Sequence, residues 1–460
     1  MKDFSEIFNF ELLNQESGSI FPPICIDSRV LSKGDVFCAI NGNNFDGHKF
    51  VEAAFNKGAL FAIVEKDNQV LQLFEDKSRL LAVDDSIDAL SRIANLNRKK
   101  SKARVLCISG SAGKTGTKEL INNILSTTFS GIANEKNFNN YIGLPLTLLK
   151  LKNEDEYCIL ELGINTIGEM DKLANIAQPD WALLTNVGAS HLEGLKDIET
   201  VAKEKTKLFR AISVQGKIFV NIDDPNIVTY SKDNEHCEKL TFSMFDNTGA
   251  DVFISRTQEK GLEGYDLTVS AYGELFDVNL PLLGRHNINN ALAAIAVTYS
   301  WGLDIDNIAR GLNKPIFSDR RNSLIQLKNN KYLIDDSYNS NPLSVKAALE
   351  LFKKLAGNSK TLFVVGDMLE QGSESKKLHK ELGISIKEQG IDKVIAIGQY
   401  AESIAQGFNN DNNIMLFKDH REASNEALKQ SDQCDWILIK GSRGISLDLI
   451  ADRIKGEYGL

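Results

Sequence analysis

Gly110, Ser111, Ala112, Gly113, Lys114, Thr115 and Gly116 stand in a row between two apolar patterns, and their types suit one task, holding a chain of phosphates. The preceding run, Ala103-Arg-Val-Leu-Cys-Ile-Ser109, reads as a strand, and Lys118-Glu-Leu-Ile-Asn-Asn-Ile-Leu125 reads as a helix. Small residues at such a junction let backbone N–H groups approach phosphate oxygens, and the helix N-terminus adds partial positive charge. A Lys114 ammonium can reach the terminal phosphates, and a Thr115 hydroxyl can ligate Mg²⁺. The spacing Gly-x-x-Gly-Lys-Thr is short of the common phosphate loop, with Ile108 where the first glycine usually stands.

Other clusters could complete such a site. Glu161 ends the apolar run Tyr157-Cys-Ile-Leu-Glu161, at the strand end where open α/β sheets bind ligands. It is either a cation ligand or a solvated residue beyond the strand. His191 lies in Asn186-Val-Gly-Ala-Ser-His191, after the next strand, and is either a metal-binding imidazole or a structural histidine. Lys203, Lys205 and Lys207 share a predicted helix but point in different directions, and spacing does not choose among them. Asn287 and Asn290 fall one turn apart on a helix face. They suit an adenine edge, and Asn287 suits a helix cap equally. Asp336, Asn339 and Asn341 crowd a strand end before a helix opened by Pro342. Asp336 could meet a ribose and the two asparagines a peptide, though Asn and Pro are also ordinary turn residues.

Three blocks position these groups. Residues 1–98 carry short apolar runs and glycine turns, and the basic stretch Asn97-Arg-Lys-Lys-Ser-Lys102 reads as a linker. Residues 99–314 alternate strand and helix, which implies a mainly parallel sheet, with alternating patterns over 235–282 that suggest added antiparallel strands. Residues 315–460 alternate again, with strands at Tyr332–Asp335, Thr361–Val365, Lys393–Ile397, Ile414–Phe417 and Trp436–Ile439. Val345, Ala348, Leu349 and Phe352 mark an amphipathic helix between the first two, as in a doubly wound fold. The chain has 460 residues and a net charge of −9, which argues against general nucleic-acid binding. No apolar run is long enough for a membrane span, and Met1-Lys-Asp-Phe-Ser-Glu6 lacks an apolar signal core. Six scattered cysteines with no C-x-x-C fit reduced core thiols, and a cytoplasmic location is expected.

As a set, these segments resemble the Mur ligases, which extend the UDP-linked precursor of the bacterial cell wall. The phosphate loop, Glu161-Leu-Gly163, the Asn186 to His191-Leu turn and the Gly284-Arg-His-Asn-Ile-Asn-Asn290 helix appear in family order. Asn137-Phe-Asn-Asn-Tyr-Ile-Gly-Leu-Pro145, Asp335-Asp-Ser-Tyr-Asn-Ser-Asn-Pro342, Val365-Gly-Asp-Met-Leu-Glu370 and Lys440-Gly-Ser-Arg443 point to the branch that adds a dipeptide. The resemblance implies three α/β domains: a small N-terminal one for the UDP substrate, a central ATPase domain of phosphate-loop type, and a C-terminal Rossmann-like domain for the incoming dipeptide. It implies ATP and Mg²⁺ as cofactors, UDP-N-acetylmuramoyl-tripeptide and D-alanyl-D-alanine as substrates, and a monomer. Ser28, Arg29, Asn43, Asn44, Phe45, Asp46 and His48 match its uridine-nucleotide segments. Glu161 and His191 match its Mg²⁺ ligands, and Lys205, four residues before Phe209, matches the lysine the family carbamylates. Asn287, Asn290, Arg321 and Asp336 match ATP-contacting positions. Two departures stand out: Phe317-Ser-Asp-Arg-Arg321 replaces a Pro-Gly-Arg turn, and Gly116 stands where the family often has Thr or Ser, which leaves Thr115 as the Mg²⁺ hydroxyl. A sister ligase adding one amino acid, or a regulator that binds nucleotide without turnover, is the rival expectation.

Overall fold

A computed structural model describes residues 2–3, 22–42, 45–74, 77–135, 137–246, 249–315, 320–409 and 412–459. Its strands form three separate sheets in chain order. The first is parallel, in the order Lys2–Asp3, Leu80–Val83, Phe61–Glu65, Val36–Cys38, Ile24–Cys25. The helix Ser86–Lys100 follows it, opened by Asp85, whose carboxylate accepts the Asp88 N–H. The basic stretch around Asn97 is therefore no free linker but the last turn of this helix. Asn97 donates to the Leu148 and Leu151 carbonyls, and Arg98 reaches the Ala177 carbonyl and the Asp180 carboxylate. Both side chains are buried against the central block, where they satisfy carbonyls that burial would otherwise leave unpaired.

The central sheet has nine strands, and its middle members are Lys217–Asn221, Trp181–Leu184, Arg104–Ser109 and Tyr157–Glu161. All pair in parallel from Gly131–Ala133 to Val252–Glu259. The last two, Tyr265–Ala271 and Glu274–Leu280, are antiparallel, as the alternation over this region predicts. Each face carries a core. On one face the helices Lys114–Leu125 and His286–Ser300 bury Leu120, Ile121, Ile124, Ile288, Ala291 and Ile295. On the other, Leu173, Val201, Leu208 and Phe209 pack on Cys158, Leu160 and Leu184.

The third sheet runs Ser323–Leu327, Lys331–Asp336, Trp436–Lys440, Thr361–Gly366, Lys393–Ile397, Ile414–Phe417, antiparallel only at its first edge. Helix Pro342–Ala356 carries the chain from the second strand past the slot that Trp436–Lys440 fills. The predicted stripe Val345, Ala348, Leu349 and Phe352 is buried along it. Such a switch in strand order opens a crevice at the carboxyl ends of the strands, and Asp336, Lys440 and Asp367 stand there. Among the described residues no helix is long and apolar enough to cross a membrane.

Candidate functional site

The phosphate-loop segment turns on two glycines that accept no other side chain. Gly110 has φ +148°, and a Cβ there would lie 2.0 Å from Thr185 Oγ1. Gly113 has φ +81°, opens helix Lys114–Leu125, and would place a Cβ 2.5 Å from Asn290 Oδ1. The turn after the neighbouring strand holds the loop. Ala112 N–H donates to Asn186 Oδ1 (2.9 Å), the Thr185 hydroxyl donates to the Ala112 carbonyl (2.6 Å), and Ser111 Oγ donates to the Gly188 carbonyl (2.9 Å). Gly110→Ala is expected to cut nucleotide affinity at least about tenfold, because the loop must shift to admit the methyl group. Calorimetric titration with ADP would read this directly.

Lys114 Nζ donates to the Gly110 carbonyl at 2.7 Å. Burial pulls its pKa below the ordinary lysine value, Arg321 pushes the same way, and Glu161 opposes. Glu161 is buried rather than solvated. Its Oε2 accepts the Thr115 hydroxyl at 2.7 Å, its Oε1 accepts Asn139 Nδ2 at 2.9 Å, and its N–H donates to Asn134 Oδ1. Burial alone would raise its pKa, but Lys114, Arg321 and these hydrogen bonds outweigh it and keep the carboxylate ionised. Asn139 and Asn134 are functional candidates that residue types did not single out. For Asn139 the signal was the run Asn137-Phe-Asn-Asn140, whereas Asn134 lies before that run.

Burial separates the three lysines that spacing left equivalent. Lys203 pairs with Glu199 at 2.6 Å, and Lys207 pairs with Glu204 at 2.6 Å and Asp171 at 2.9 Å. Lys205 has no solvent exposure, and among the described residues its Nζ has no hydrogen-bond partner. Burial drives its pKa far down, Lys114 adds to the effect and Glu161 opposes it, which favours the uncharged amine beside both groups. His191 has φ 54°, a left-handed conformation that costs a residue with a side chain of order 1–3 kcal/mol. Its Nδ1 meets Glu370 Oε2 of the third block at 2.5 Å.

Asn290 Nδ2 donates to Asn287 Oδ1 (3.0 Å), and Asn290 Oδ1 accepts the Thr117 hydroxyl (3.2 Å). Asn287 Nδ2 donates back to the Leu283 carbonyl. The pair thus ties its helix to the one that starts at the phosphate loop, and Asn287 is not the helix cap, which falls at Arg285. His286 beside them is pushed down to about 4 by burial, with Lys440 acting the same way. The unfolded chain takes up this proton near 6.5, so the stability tied to a neutral His286 is complete above that pH and drains away as pH falls towards 4. Denaturation of wild type and His286→Gln across that range should show a pH dependence in the wild type that is smaller in the variant by about 2 kcal/mol.

Arg321 stacks over the Tyr338 ring at 4.0 Å, close enough to Lys114 and Glu161 to act on both. Asp336 is buried, accepts Lys440 Nζ at 2.5 Å and the Asn322 N–H at 3.2 Å, and burial raises its pKa. Asn341 serves chiefly structure. Its Oδ1 accepts the Ser344 N–H in a capping box, and its Nδ2 donates to the Ser111 carbonyl of the phosphate loop. Asn339 Oδ1 accepts the Ser340 N–H, and its carbonyl accepts Lys440 Nζ.

In the first block Ser28 lies in a turn, Arg29 is exposed and paired with Asp27, and Phe45 is exposed. His48 has structural partners. It is buried, its Nδ1 bonds Asp46 Oδ1 at 2.7 Å, and its Nε2 accepts the Glu65 N–H at 3.0 Å. Both ring nitrogens are bonded within this block, so His48 braces the segment. Asn43, Asn44 and Phe317–Asp319 lie outside the described residues.

Comparison with known proteins matches this arrangement along the chain. The family models for the Mur ligase family catalytic domain, the Mur ligase middle domain and the Mur ligase glutamate ligase domain match residues 23–98, 108–298 and 320–443. The UDP-N-acetylmuramoyl-tripeptide–D-alanyl-D-alanine ligase of Bacillus subtilis is 33% identical over 98% of this chain and 97% of its own. A crystal structure of MurF from Acinetobacter baumannii superposes with a TM-score of 0.85 at 29% identity, covering 94% of this chain and 93% of that one. MurF ligase from Thermotoga maritima in complex with ADP gives 0.81 at 26% identity, covering 95% and 97%. With three α/β units in the family's order and a full-length relative at this identity, the chain belongs to the Mur ligase family.

Proposed function

We propose that this chain is an ATP-dependent ligase that joins D-alanyl-D-alanine to UDP-N-acetylmuramoyl-tripeptide through an acyl phosphate. The observation that carries the reading is the convergence of Lys114, Thr115, Glu161 and a buried, unpartnered Lys205 at one phosphate loop. Full-length similarity to ligases named for this reaction supports the choice of substrates. Residues 1–98 would hold the UDP end, 99–314 the ATP, and 315–460 the dipeptide.

The residues fit a divalent cation on one condition. Among the described residues no three of the His, Cys, Asp and Glu side chains converge as a ready-made cation site. The orphaned Lys205 amine meets that deficit, since a neutral amine adds to CO₂, loses a proton and becomes an anionic carbamate. Thr115, Glu161, His191 and the Lys205 carbamate would then hold Mg²⁺, which when bound neutralises charge on the terminal phosphates.

A carboxylate is a poor electrophile at neutral pH. In the reading proposed, a tripeptide carboxylate oxygen attacks the γ-phosphorus and ADP leaves. The dipeptide amine then adds to the acyl carbon, and the tetrahedral intermediate expels phosphate as the amine loses its proton. The protein's part is alignment and charge stabilisation, with reacting atoms brought within about 3–3.5 Å. Lys114 steadies the moving phosphoryl group, and Arg321 contributes a second positive charge from the C-terminal side. Asn139 and Thr115 keep Glu161 oriented. Phosphate release measured with each substrate omitted in turn tests the proposal. Release should need both UDP-N-acetylmuramoyl-tripeptide and D-alanyl-D-alanine. Release with a single diamino acid in place of the dipeptide would point to a sister ligase, and ADP binding without turnover to a regulator.

A further inference from the structure

Glu370 has no part in the chemistry above, yet it makes a direct contact from the third block to His191 of the candidate cation site. We propose that Glu370 is a positioning residue for His191, so that the cation site on the central block is complete only when the C-terminal block is docked. The inference rests on the reading that His191 is a cation ligand.

Two bonds join the segments. His191 Nδ1 meets Glu370 Oε2 at 2.5 Å, and the Glu193 N–H donates to the Glu370 carbonyl at 3.0 Å. A carboxylate on Nδ1 places the proton there and leaves Nε2 with a free lone pair, the form in which imidazole binds a cation. The carboxylate is half exposed, where an ion pair adds little to stability. Its effect is therefore on the direction and tautomer of the ring. The backbone on both sides is bent to make the contact, with φ 54° at His191 and 63° at Glu370.

The segment that carries Glu370 is pinned at each residue. Met368 N–H donates to His379 Nε2 (2.9 Å), Leu369 N–H donates to Ser442 Oγ (2.9 Å), and Gln371 Nε2 donates to the Leu369 carbonyl (3.0 Å). His379 is itself fully buried and donates from Nδ1 to the Ser375 carbonyl. Gly372 follows with φ +55°, and a Cβ there would lie 3.1 Å from Glu193 Cα, so the blocks meet backbone to backbone. A carboxylate held this firmly fixes the orientation of its partner. Linkage then requires the converse: whatever docking adds to cation affinity, the cation adds to docking.

Binding of Mn²⁺ to the full-length, ADP-saturated protein tests this, with free Mn²⁺ read by electron paramagnetic resonance. Glu370→Ala should weaken Mn²⁺ binding about 10- to 100-fold, the usual cost of losing a partner of a metal-bound histidine. Glu370→Gln keeps an acceptor oxygen and should restore most of that loss. In a His191→Ala background Glu370→Ala should add nothing. Wild-type Mn²⁺ affinity in Glu370→Ala, alongside weakened binding in His191→Ala, overturns this inference and leaves the proposed function standing. So does an equal loss with and without His191. Unchanged binding in His191→Ala removes His191 from the cation site and takes this inference with it.

Discussion

Lys114→Ala is expected to lower kcat for phosphate release by roughly 10³-fold or more while the protein stays folded. Lys114 Nζ bonds one backbone carbonyl, that of Gly110, and lies beside Glu161 without ion-pairing it directly. Removing it deletes the positive charge aimed at the loop but no core packing. Burial and Arg321 disfavour the charged form while Glu161 favours it, and when the ammonium goes Arg321, Thr115 and Asn139 still hold the Glu161 carboxylate, so the fold is kept. Steady-state phosphate release and a thermal melt on the same preparation separate the two effects. Near-normal ligation by Lys114→Ala would remove this residue from the mechanism, and with it the role given to the loop.

Lys205→Met should separate stability from activity in the opposite sense. The wild-type amine is fully buried without a hydrogen-bond partner among the described residues, and such a group costs about 1–3 kcal/mol. Methionine fills a similar volume without the polar atom. In CO₂-free buffer Lys205→Met should therefore melt at or above the wild-type temperature, while kcat falls by roughly 10²–10³-fold or more. Depleting bicarbonate should lower wild-type activity and leave the residual activity of the variant unchanged. A variant that melts well below wild type would mean that Lys205 has a structural partner. Activity close to wild type would end its assignment as the carbamate.

How far residue types carry an argument depended on where the partners lie. The strands around the loop were readable because Arg104–Ser109 and Tyr157–Glu161 are buried on both faces and so almost wholly apolar. The Asn97–Lys102 stretch misled because its charges look solvated, whereas Asn97 and Arg98 are committed to carbonyls some 50 to 80 residues away. The same limit applies to Lys203, Lys205 and Lys207. Their spacing is helical for all three, and only the packing around them shows that two are paired and one is stranded. Asn341 is expected at a peptide from its place at a strand end, and His48 at the uridine nucleotide from the family resemblance, and neither expectation shows what their polar groups bond. In the fold those groups are used, one on a helix cap and the phosphate loop, the other on Asp46 and the Glu65 backbone. Glu370 could not be assigned at all from its position, since its meaning lies in a histidine 179 residues earlier in the chain.

The central claim is that the peptide carboxylate is phosphorylated before the amide forms. Supplying UDP-N-acetylmuramoyl-tripeptide with ¹⁸O in its acceptor carboxylate, together with ATP, Mg²⁺ and D-alanyl-D-alanine, tests it by mass spectrometry of the released phosphate. An acyl phosphate transfers one labelled oxygen to each phosphate and keeps the other in the new amide. Phosphate free of label, with ligation proceeding normally, would contradict the account.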